Sequence, residues 1–338
     1  MYRTFFGFET RPFDLTPNPK FLVLTEAHQE ALSVLDYGIA SRKGITLLLG
    51  EAGTGKTTLI RAAAARQPAH VHCVHLHNPA LTRAEFVETL ADHFALSDTA
   101  GSSKSALLRE LELLLAERHA RGEATVLIID EAQSVGMDLL EEIRLLANFE
   151  TDETKLLSVI LAGQPELASR LNVDALRQLK QRIALRCELR PLTQDETFAY
   201  VAGRVRAAGG IGAQVFTREA VMLLHQQSAG IPRTISVIAD NALLSAFALG
   251  RKPVTTAIVE EVCDDLDLQR AGSAKQPPPS SVRAESAAQE RPRAPERLLA
   301  LDDDVLVEPA TSTDMGDAEA DQDVPRASAR KRRRFSFF

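Results

Sequence analysis

A phosphate-binding motif is the clearest chemical signal in this sequence of 338 residues. The stretch GEAGTGKT at residues 50–57 fits the pattern G-x-x-x-x-G-K-[ST] and lies between an apolar run and a helical pattern. In such a loop the glycines let successive backbone N–H groups face a phosphate, Lys56 adds positive charge, and the Thr57 hydroxyl can ligate Mg²⁺. The sequence therefore predicts nucleotide-phosphate binding by these residues: Gly50, Glu51, Ala52, Gly53, Thr54, Gly55, Lys56, Thr57 and Thr58.

A pair of carboxylates is the second chemical signal. Asp130 and Glu131 directly follow the apolar residues 126–129. Open parallel sheets bind ligands beyond the carboxyl ends of their strands, so both side chains are expected near the phosphate. Asp130 can hold Mg²⁺ through water, and Glu131 can polarise an attacking water. The pair favours a hydrolase over a kinase, and it predicts Thr57 and Asp130 as metal-binding residues and Glu131 as a catalytic residue.

Alternating strand and helix patterns must position both motifs. Short apolar runs predict five strands, and helical patterns lie between them. The predicted strands cover residues 45–49, 71–76, 125–129, 157–162 and 184–189. The predicted helices cover residues 56–66, 82–94, 105–121 and 138–148. This alternation predicts an α/β fold of the P-loop NTPase type, with a parallel five-stranded sheet and helices on both faces.

The character of the sequence changes twice along the chain. After Pro191 the strand patterns end and helical patterns follow, the first of them opened by a capping box at residues 193–196. Near residue 270 the composition turns to Pro, Ala, Ser, Asp and Arg, which cannot bury a core. The predicted organisation is an α/β domain with an N-terminal segment over residues 1–191, a small all-α domain over 192–269, and a disordered tail over 270–338.

Charge and composition narrow the class of protein. The net charge is -7, and the tail carries equal numbers of acidic and basic residues, so the excess of acid lies in the predicted folded part. An acidic body argues against sequence-independent binding of duplex DNA. No apolar run approaches the length of a membrane-spanning helix, and no secretory signal is visible. The three cysteines are far apart and predict no disulfide framework, which indicates a cytoplasmic setting.

Further motifs resemble those of the ExeA-like AAA+ ATPases, the family of the general secretion pathway protein A. They are, in order, YRTFFGFETRPFDLTPNPKF, GEAGTGKTTL, LIIDEAQ, LAGQPEL, QRIALRCELRPL and GIPRTISVIADNAL. The resemblance covers about residues 1–268. It implies an AAA+ core of the ASCE class with a helical lid, ATP and Mg²⁺ at their junction, Mg²⁺-dependent ATP hydrolysis, and homo-oligomers that form with ATP.

The resemblance also implies roles for residues outside the two motifs. Gln164 follows the fourth strand, where a polar side chain can sense the γ-phosphate. Arg182 resembles the arginine finger that reaches a neighbouring subunit's nucleotide, with Arg186 as the alternative. Arg233 resembles the sensor arginine of the lid. Residues 13–21 and His28 are implied to line the adenine side, although the phenylalanines of that segment could equally be core residues.

Three functions stay open at this point. The first is an assembly or remodelling ATPase for bacterial envelope secretion, pilus or polysaccharide export, cytoplasmic or peripheral to the inner membrane, with the export machinery as its partner. The second is a DNA-associated regulator like the transposition and origin-recognition ATPases, which the acidic body and the lack of a winged-helix domain disfavour. The third is a nucleotide-gated scaffold with negligible turnover, against which Glu131 argues.

Two regions bear on partners. Better-known family members carry a membrane segment and a peptidoglycan-binding domain after the lid, and neither is recognised in this sequence, so peptidoglycan binding is not inferred. The tail ends in a run of bases and aromatics from Arg330 to Phe338. That run could touch an anionic membrane surface, dock a protein partner, or serve only to solubilise the chain.

Overall fold

The computed structural model describes residues 1–15, 23–77 and 80–267, and these lie in one compact unit. In that part of the chain five strands form one sheet, in the order β2-β3-β4-β1-β5, and every neighbouring pair is parallel. The strands are β1 (Ile45–Gly50), β2 (Val71–Leu76), β3 (Ala124–Ile129), β4 (Leu157–Gly163) and β5 (Ile183–Leu189). The predicted parallel five-stranded sheet is confirmed.

The strand order brings the two chemical motifs together. Strand β4 is inserted between β1 and β3, and its Leu161 pairs with Leu47 on one side and with Ile129 on the other. The carboxyl ends of the three strands therefore lie along one edge of the sheet. The phosphate loop leaves β1 there and the acid pair leaves β3, on either side of the end of β4. This break in strand order is where open α/β sheets bind ligands.

Helices cover both faces of the sheet. One face packs on α2 and α3, and the other packs on a larger core that includes α4, α6 and α7. The helices up to β5 are α1 (Tyr2–Phe6), α2 (Glu26–Ala40), α3 (Lys56–Arg66), α4 (Arg83–His93), α5 (Asp98–Ser102), α6 (Lys104–Ala120), α7 (Met137–Leu146), α8 (Pro165–Arg170) and α9 (Arg177–Gln181). Short 3₁₀ helices cover Ala132–Ser134 and Asp174–Leu176. The longer helices between strands match the predicted ones to within a few residues.

Within the described residues the lid consists of helices packed around a hydrophobic core that is separate from the two cores of the sheet. Its helices are α10 (Gln194–Ala207), α11 (Gly212–Val215), α12 (Arg218–Ser228), α13 (Pro232–Ala248) and α14 (Thr256–Asp265). Helix α10 begins with the predicted capping box, in which Thr193 accepts from the backbone N–H of Glu196. Helix α13 begins at Pro232, where a missing N–H costs nothing.

The N-terminal segment packs on the lid. Tyr2, Phe8 and Phe13 are buried in the lid core, although the N-terminal segment was predicted to belong to the domain over residues 1–191. The Tyr2 hydroxyl donates to Asp240 of α13, and the backbone N–H of Glu9 donates to the carbonyl oxygen of Ala208 at 2.8 Å. A lid of this size has little apolar surface to bury by itself, so the aromatic side chains of this segment complete its core.

The predicted tail over residues 270–338, including the run from Arg330 to Phe338, lies outside the described residues. Within the described ranges, no helix is both long enough and apolar enough to cross a membrane.

Candidate nucleotide-binding site

The phosphate loop, Glu131, the lid and the N-terminal segment surround one cleft with a volume of about 340 Å³. The loop and the start of α3 line it with Gly53, Thr54, Gly55, Lys56, Thr57 and Thr58. Glu131 lines it from the sheet, and the lid contributes Tyr200, Arg204, Pro232, Arg233 and Ser236. Asp14, Leu15, Val23 and His28 close the remaining side. The predicted residues Gly50, Glu51 and Ala52 do not line the cleft, because they form the part of the loop that leads into it.

The phosphate loop has the backbone shape that its glycines permit. Gly53 and Gly55 have φ angles of 83° and 102°, in the left-handed region that disfavours other residues. Lys56 is 4% exposed, and its Nζ donates to the carbonyl oxygens of Gly50 at 2.8 Å and Glu51 at 3.1 Å. Burial lowers the pKa of Lys56, because the ammonium has lost water. Phosphate oxygens would be stronger acceptors for this ammonium than two neutral carbonyls.

Two oxygen donors suited to Mg²⁺ lie beside the loop. Thr57 Oγ1 donates to Asp130 Oδ2 at 2.6 Å, and Asp130 is 3% exposed. Among the residues described, no group of three or more His, Cys, Asp or Glu side chains could hold a metal. Mg²⁺ typically takes one or two protein oxygens and completes its shell with waters and substrate phosphates. The hydroxyl and carboxylate therefore fit a magnesium ion that arrives with a nucleotide.

Glu131 occupies an unusual backbone conformation at the cleft. Its φ is 52°, in the left-handed region, and it is the N-cap residue of the 3₁₀ helix Ala132–Ser134. Its backbone N–H donates to Asp130 Oδ1 at 2.9 Å, and its Oε2 accepts from Gln133 Nε2 at 2.6 Å. Gln164 lies just beyond β4, and its backbone N–H donates to Gln133 Oε1 at 3.0 Å. Gln133, which was not predicted as a site residue, thus links two residues that were.

His28 holds the loop from the side of the cleft next to the N-terminal segment. It is 5% exposed, with Nε2 at 3.2 Å from the carbonyl oxygen of Thr54 and Nδ1 at 2.7 Å from Thr25 Oγ1. A carbonyl oxygen only accepts, so Nε2 carries the hydrogen and Nδ1 can accept from the threonine. Burial lowers the pKa of His28, which favours this neutral form.

The N-terminal segment lines the cleft with Asp14 and Leu15 and not with Phe13. The Phe13 ring is 1% exposed and packs edge-on against Phe216 at 5.9 Å, as the core-packing alternative describes. Arg204 of α10 donates to the carbonyl oxygens of Pro12 at 2.6 Å and Asp14 at 2.9 Å. Its guanidinium also lies over the Phe13 ring. Arg204 was not predicted, because its partners are far away in sequence. Phe21, which was predicted together with Phe13, lies outside the described residues.

The two candidate finger arginines lie away from the cleft of their own chain. Arg182 precedes the first residue of β5, which pairs with Ile45 at the start of β1. The phosphate loop leaves the other end of β1, about 20 Å away at the usual rise per residue. Arg186 is exposed on β5 and lies 3.6 Å from Glu188 in an ion pair. The structure therefore brings Lys56, Thr57, Asp130, Glu131 and Arg233 together, and leaves the two candidate fingers apart.

The lid touches the phosphate loop directly. The backbone N–H of Arg233, in the first turn of α13, donates to the carbonyl oxygen of Gly53 at 3.2 Å. A Cβ on Gly53 would lie 2.8 Å from Arg233 Cβ and 3.1 Å from Ile231 Cγ2. Only glycine permits this approach, so the loop and the lid form one contact surface even before the Arg233 side chain meets a ligand.

Gly53→Ala is expected to destabilise the protein and to weaken nucleotide binding at least about tenfold, because it strains the loop and pushes the lid away. Gly122→Ala is a matched control, since Gly122 has a φ of 77° with nothing within 4 Å of an added Cβ. Each change should carry a left-handed penalty of about 1 kcal/mol. Thermal unfolding measures the loss of stability in each variant, and nucleotide titration measures the loss of affinity. Equal losses of affinity in the two variants would show that the contact between the loop and the lid does not affect nucleotide binding.

Comparisons with known proteins match this architecture. The AAA domain family matches residues 39–171. Over 250 residues the chain is 42% identical to the General secretion pathway protein A of Aeromonas hydrophila, and the alignment covers 74% of this chain and 46% of that protein. The chain belongs to the ExeA-like family of AAA+ ATPases. It spans about half the length of that relative.

Solved structures share the fold of this ExeA-like chain. The ORC2 protein of Aeropyrum pernix, solved as ADPNP–ADP complexes, matches with a TM-score of 0.58 and 18% identity over 76% of this chain and 72% of that one. The Cdc6p protein of Pyrobaculum aerophilum matches with a TM-score of 0.55 and 18% identity over 75% of this chain and 70% of that one. Identity this low supports a common fold and nothing finer.

Proposed function

We propose that this ExeA-like protein binds Mg²⁺–ATP in the cleft and hydrolyses it to ADP and phosphate. The observation that carries the proposal is the convergence of Lys56, the Thr57–Asp130 pair and Glu131 on one cleft that the lid closes with Arg233. Each of these groups has a task in phosphoryl transfer to water. The metal supplies charge neutralisation on the phosphates when bound, and Thr57 and Asp130 are the residues that would hold it.

The chain's own residues account for binding and for proton transfer. The Lys56 ammonium would exchange its two carbonyl partners for phosphate oxygens, while the N–H groups of the loop face the same phosphates. The Glu131 carboxylate would accept the proton of the attacking water. Arg233 would add positive charge from the lid side, so that the triphosphate draws the lid and the loop together. Loss of the terminal phosphate would then weaken that contact.

Turnover in this proposal depends on a second copy of the chain. Arg182 lies at the edge of the sheet away from the loop of its own subunit, too far for its side chain to reach. An arginine that stabilises transferred phosphate charge must contact it, so Arg182 could act only on a neighbouring subunit's nucleotide. The proposed active form is therefore a homo-oligomer that assembles with ATP, and Arg186 is the alternative finger.

Arg182→Ala is expected to leave ATP affinity within about twofold and to cut turnover by about 10³-fold or more, the scale that such arginines have elsewhere. Mixing this variant with Lys56→Ala protein provides the sharper measurement. In the mixture an intact arginine can face an intact loop, so phosphate release should rise above the sum of the two separate samples. Full activity of Arg182→Ala alone would show that Arg182 is not the arginine finger, which leaves Arg186 as the candidate or removes the finger from the proposal.

For the cellular role we propose an assembly or remodelling ATPase of a bacterial envelope export system. The support is the identity to the General secretion pathway protein A of Aeromonas hydrophila. The proposed partners are export-machinery proteins, and the proposed place is the cytoplasm or the cytoplasmic face of the inner membrane. A host that carries only the Glu131→Gln form should lose export, and normal export in that strain would reject this role while leaving the ATPase proposal standing.

The direct test of the proposed activity is phosphate release by purified full-length protein. Activity should require Mg²⁺, should stop with a chelator, and should rise more than in proportion to protein concentration as subunits assemble. Wild-type protein that is folded and binds ATP but releases no phosphate at any concentration would instead favour a nucleotide-gated scaffold.

A further inference from the structure

Gln133 lies between two groups that the proposed reaction must align, the Glu131 carboxylate and the end of β4. Its Nε2 donates to Glu131 Oε2 at 2.6 Å, and its Oε1 accepts from the backbone N–H of Gln164 at 3.0 Å. The two partners fix the orientation of the side-chain amide, because a carboxylate only accepts and a backbone N–H only donates. Nε2 must therefore face Glu131, and Oε1 must face the N–H of Gln164. One planar group therefore ties the carboxylate to the strand that ends at the cleft.

The surroundings of Gln133 hold this amide in place. Arg170 of α8 donates to the backbone carbonyl oxygens of Gln133 and Val135, the second at 2.6 Å. Gly163, the last residue of β4, leaves room for the amide, since a Cβ there would lie 3.0 Å from Gln133 Oε1 and 2.8 Å from Leu167 Cδ2. Helix α8 and the end of β4 thus hold Gln133 in place, through its backbone carbonyl oxygen and through the space beside Gly163.

Glu131 needs such a partner more than an ordinary glutamate does. It sits at a φ of 52° at a sharp turn, and its flexible side chain faces an open cleft. A general base works only when its oxygen lies within hydrogen-bond reach of the water, and misplacement by about 1 Å can cost about 10²-fold in rate. Among the described side chains, the Gln133 amide is the group that the structure records within hydrogen-bond distance of the Glu131 carboxylate oxygens.

We propose that Gln133 is a positioning residue, which aims the Glu131 carboxylate and transmits to it the position of the β4 end beside Gln164. The inference rests on the proposed ATPase function. On this proposal the position of the β4 end, next to the proposed site of the terminal phosphate, helps to determine the position of the Glu131 carboxylate. Gln133 does not itself touch the nucleotide in this scheme.

Two substitutions test the bridge. Gln133→Met keeps the length of the side chain and removes both hydrogen bonds, so kcat should fall at least about tenfold while the ATP dissociation constant stays within about twofold. Gln133→Glu keeps an oxygen for the Gln164 N–H but places a second carboxyl beside Glu131. Two carboxyls this close share one proton as the pH falls, and the shared proton restores the hydrogen bond. The deficit of Gln133→Glu relative to wild type should therefore shrink between about pH 8 and about pH 6, while that of Gln133→Met stays constant.

Gln226→Glu, on the exposed surface of α12, is the matched control for added charge and should behave as wild type throughout. Thermal unfolding of each variant is measured alongside, and if Gln133→Met does not fold, the two-pH comparison of Gln133→Glu decides alone. Wild-type turnover of Gln133→Met, or of Gln133→Glu at about pH 8, overturns the bridge, and so does a loss in Gln133→Glu that is the same at both pH values. If wild-type protein shows no Mg²⁺-dependent turnover, the proposed function fails and the bridge fails with it, which distinguishes the two failures.

Discussion

Glu131→Gln protein is expected to bind ATP as tightly as wild type and to hydrolyse it at least about 100-fold more slowly. The substitution keeps the length of the side chain and removes the oxygen charge that accepts a proton from water. Lys56, Thr57 and Asp130 remain in place, so the triphosphate and its metal keep their protein partners. The variant should accumulate in the ATP-bound, assembled state.

The measurement pairs single-turnover phosphate release with sedimentation in the presence of ATP. Glu112→Gln, at an exposed position of α6, is the control for loss of one negative charge and should turn over normally. Hydrolysis by Glu131→Gln within a fewfold of wild type would contradict the assignment of the base. If Glu131→Gln and wild type bind ATP equally well and release phosphate at the same rate, Glu131 does not catalyse hydrolysis. That result would favour a nucleotide-gated scaffold.

Lys56→Ala is expected to weaken ATP binding about 100-fold and to remove measurable turnover. Truncating one partner of a buried, charged hydrogen-bonded pair costs about 2–5 kcal/mol, which corresponds to a loss of affinity between about 30-fold and about 5,000-fold. The protein without nucleotide should lose little stability, because burial already disfavours the charged form of Lys56, and its pKa is lowered accordingly. Binding and stability therefore separate in this variant.

Titration calorimetry with ATP and Mg²⁺ measures the loss of affinity, and thermal unfolding checks the fold. Lys43→Ala, at an exposed lysine between α2 and β1, is the charge-matched control and should bind as wild type does. If Lys56→Ala binds ATP within a fewfold of wild type, the loop is not the phosphate site.

The sheet and the phosphate loop could be predicted because their signals are local. The residues of β1, β3 and β4 are buried along nearly their whole length, so each strand appears in the sequence as a continuous apolar run. Helix α3 was predicted with the bounds it has, since it follows the loop without a break. The motif after β1 specifies the backbone shape of the loop through its glycines, and these can be read directly from the sequence.

Helix α2 was not predicted, and the reason is tertiary packing. It contains Gly38, which lowers helix propensity and weakens the pattern. A Cβ at this position would lie 2.5 Å from Thr46 Oγ1 and 3.2 Å from Leu185 Cδ1, so the glycine allows α2 to approach β1 and β5 closely. That requirement appears only once the sheet is assembled.

The supporting residues of the site escaped prediction for a similar reason. Gln133 is a single polar residue after the acid pair, and its second partner, the N–H of Gln164, lies 31 positions further along the chain. Arg204 meets the carbonyl oxygen of Pro12 across 192 positions. A hydrogen bond to a backbone atom does not restrict the residue type of the partner, so the sequence gives no sign of it. Residues that position others are therefore harder to find from sequence than those that meet the ligand.

Isothermal titration of full-length, folded protein with ATP, in the presence and absence of Mg²⁺, tests the central claim most directly. The account predicts one site per chain with a dissociation constant below about 1 mM, tightened by Mg²⁺ and lost in Lys56→Ala. Folded wild-type protein that takes up no adenine nucleotide at millimolar concentration, with or without the metal, would contradict it.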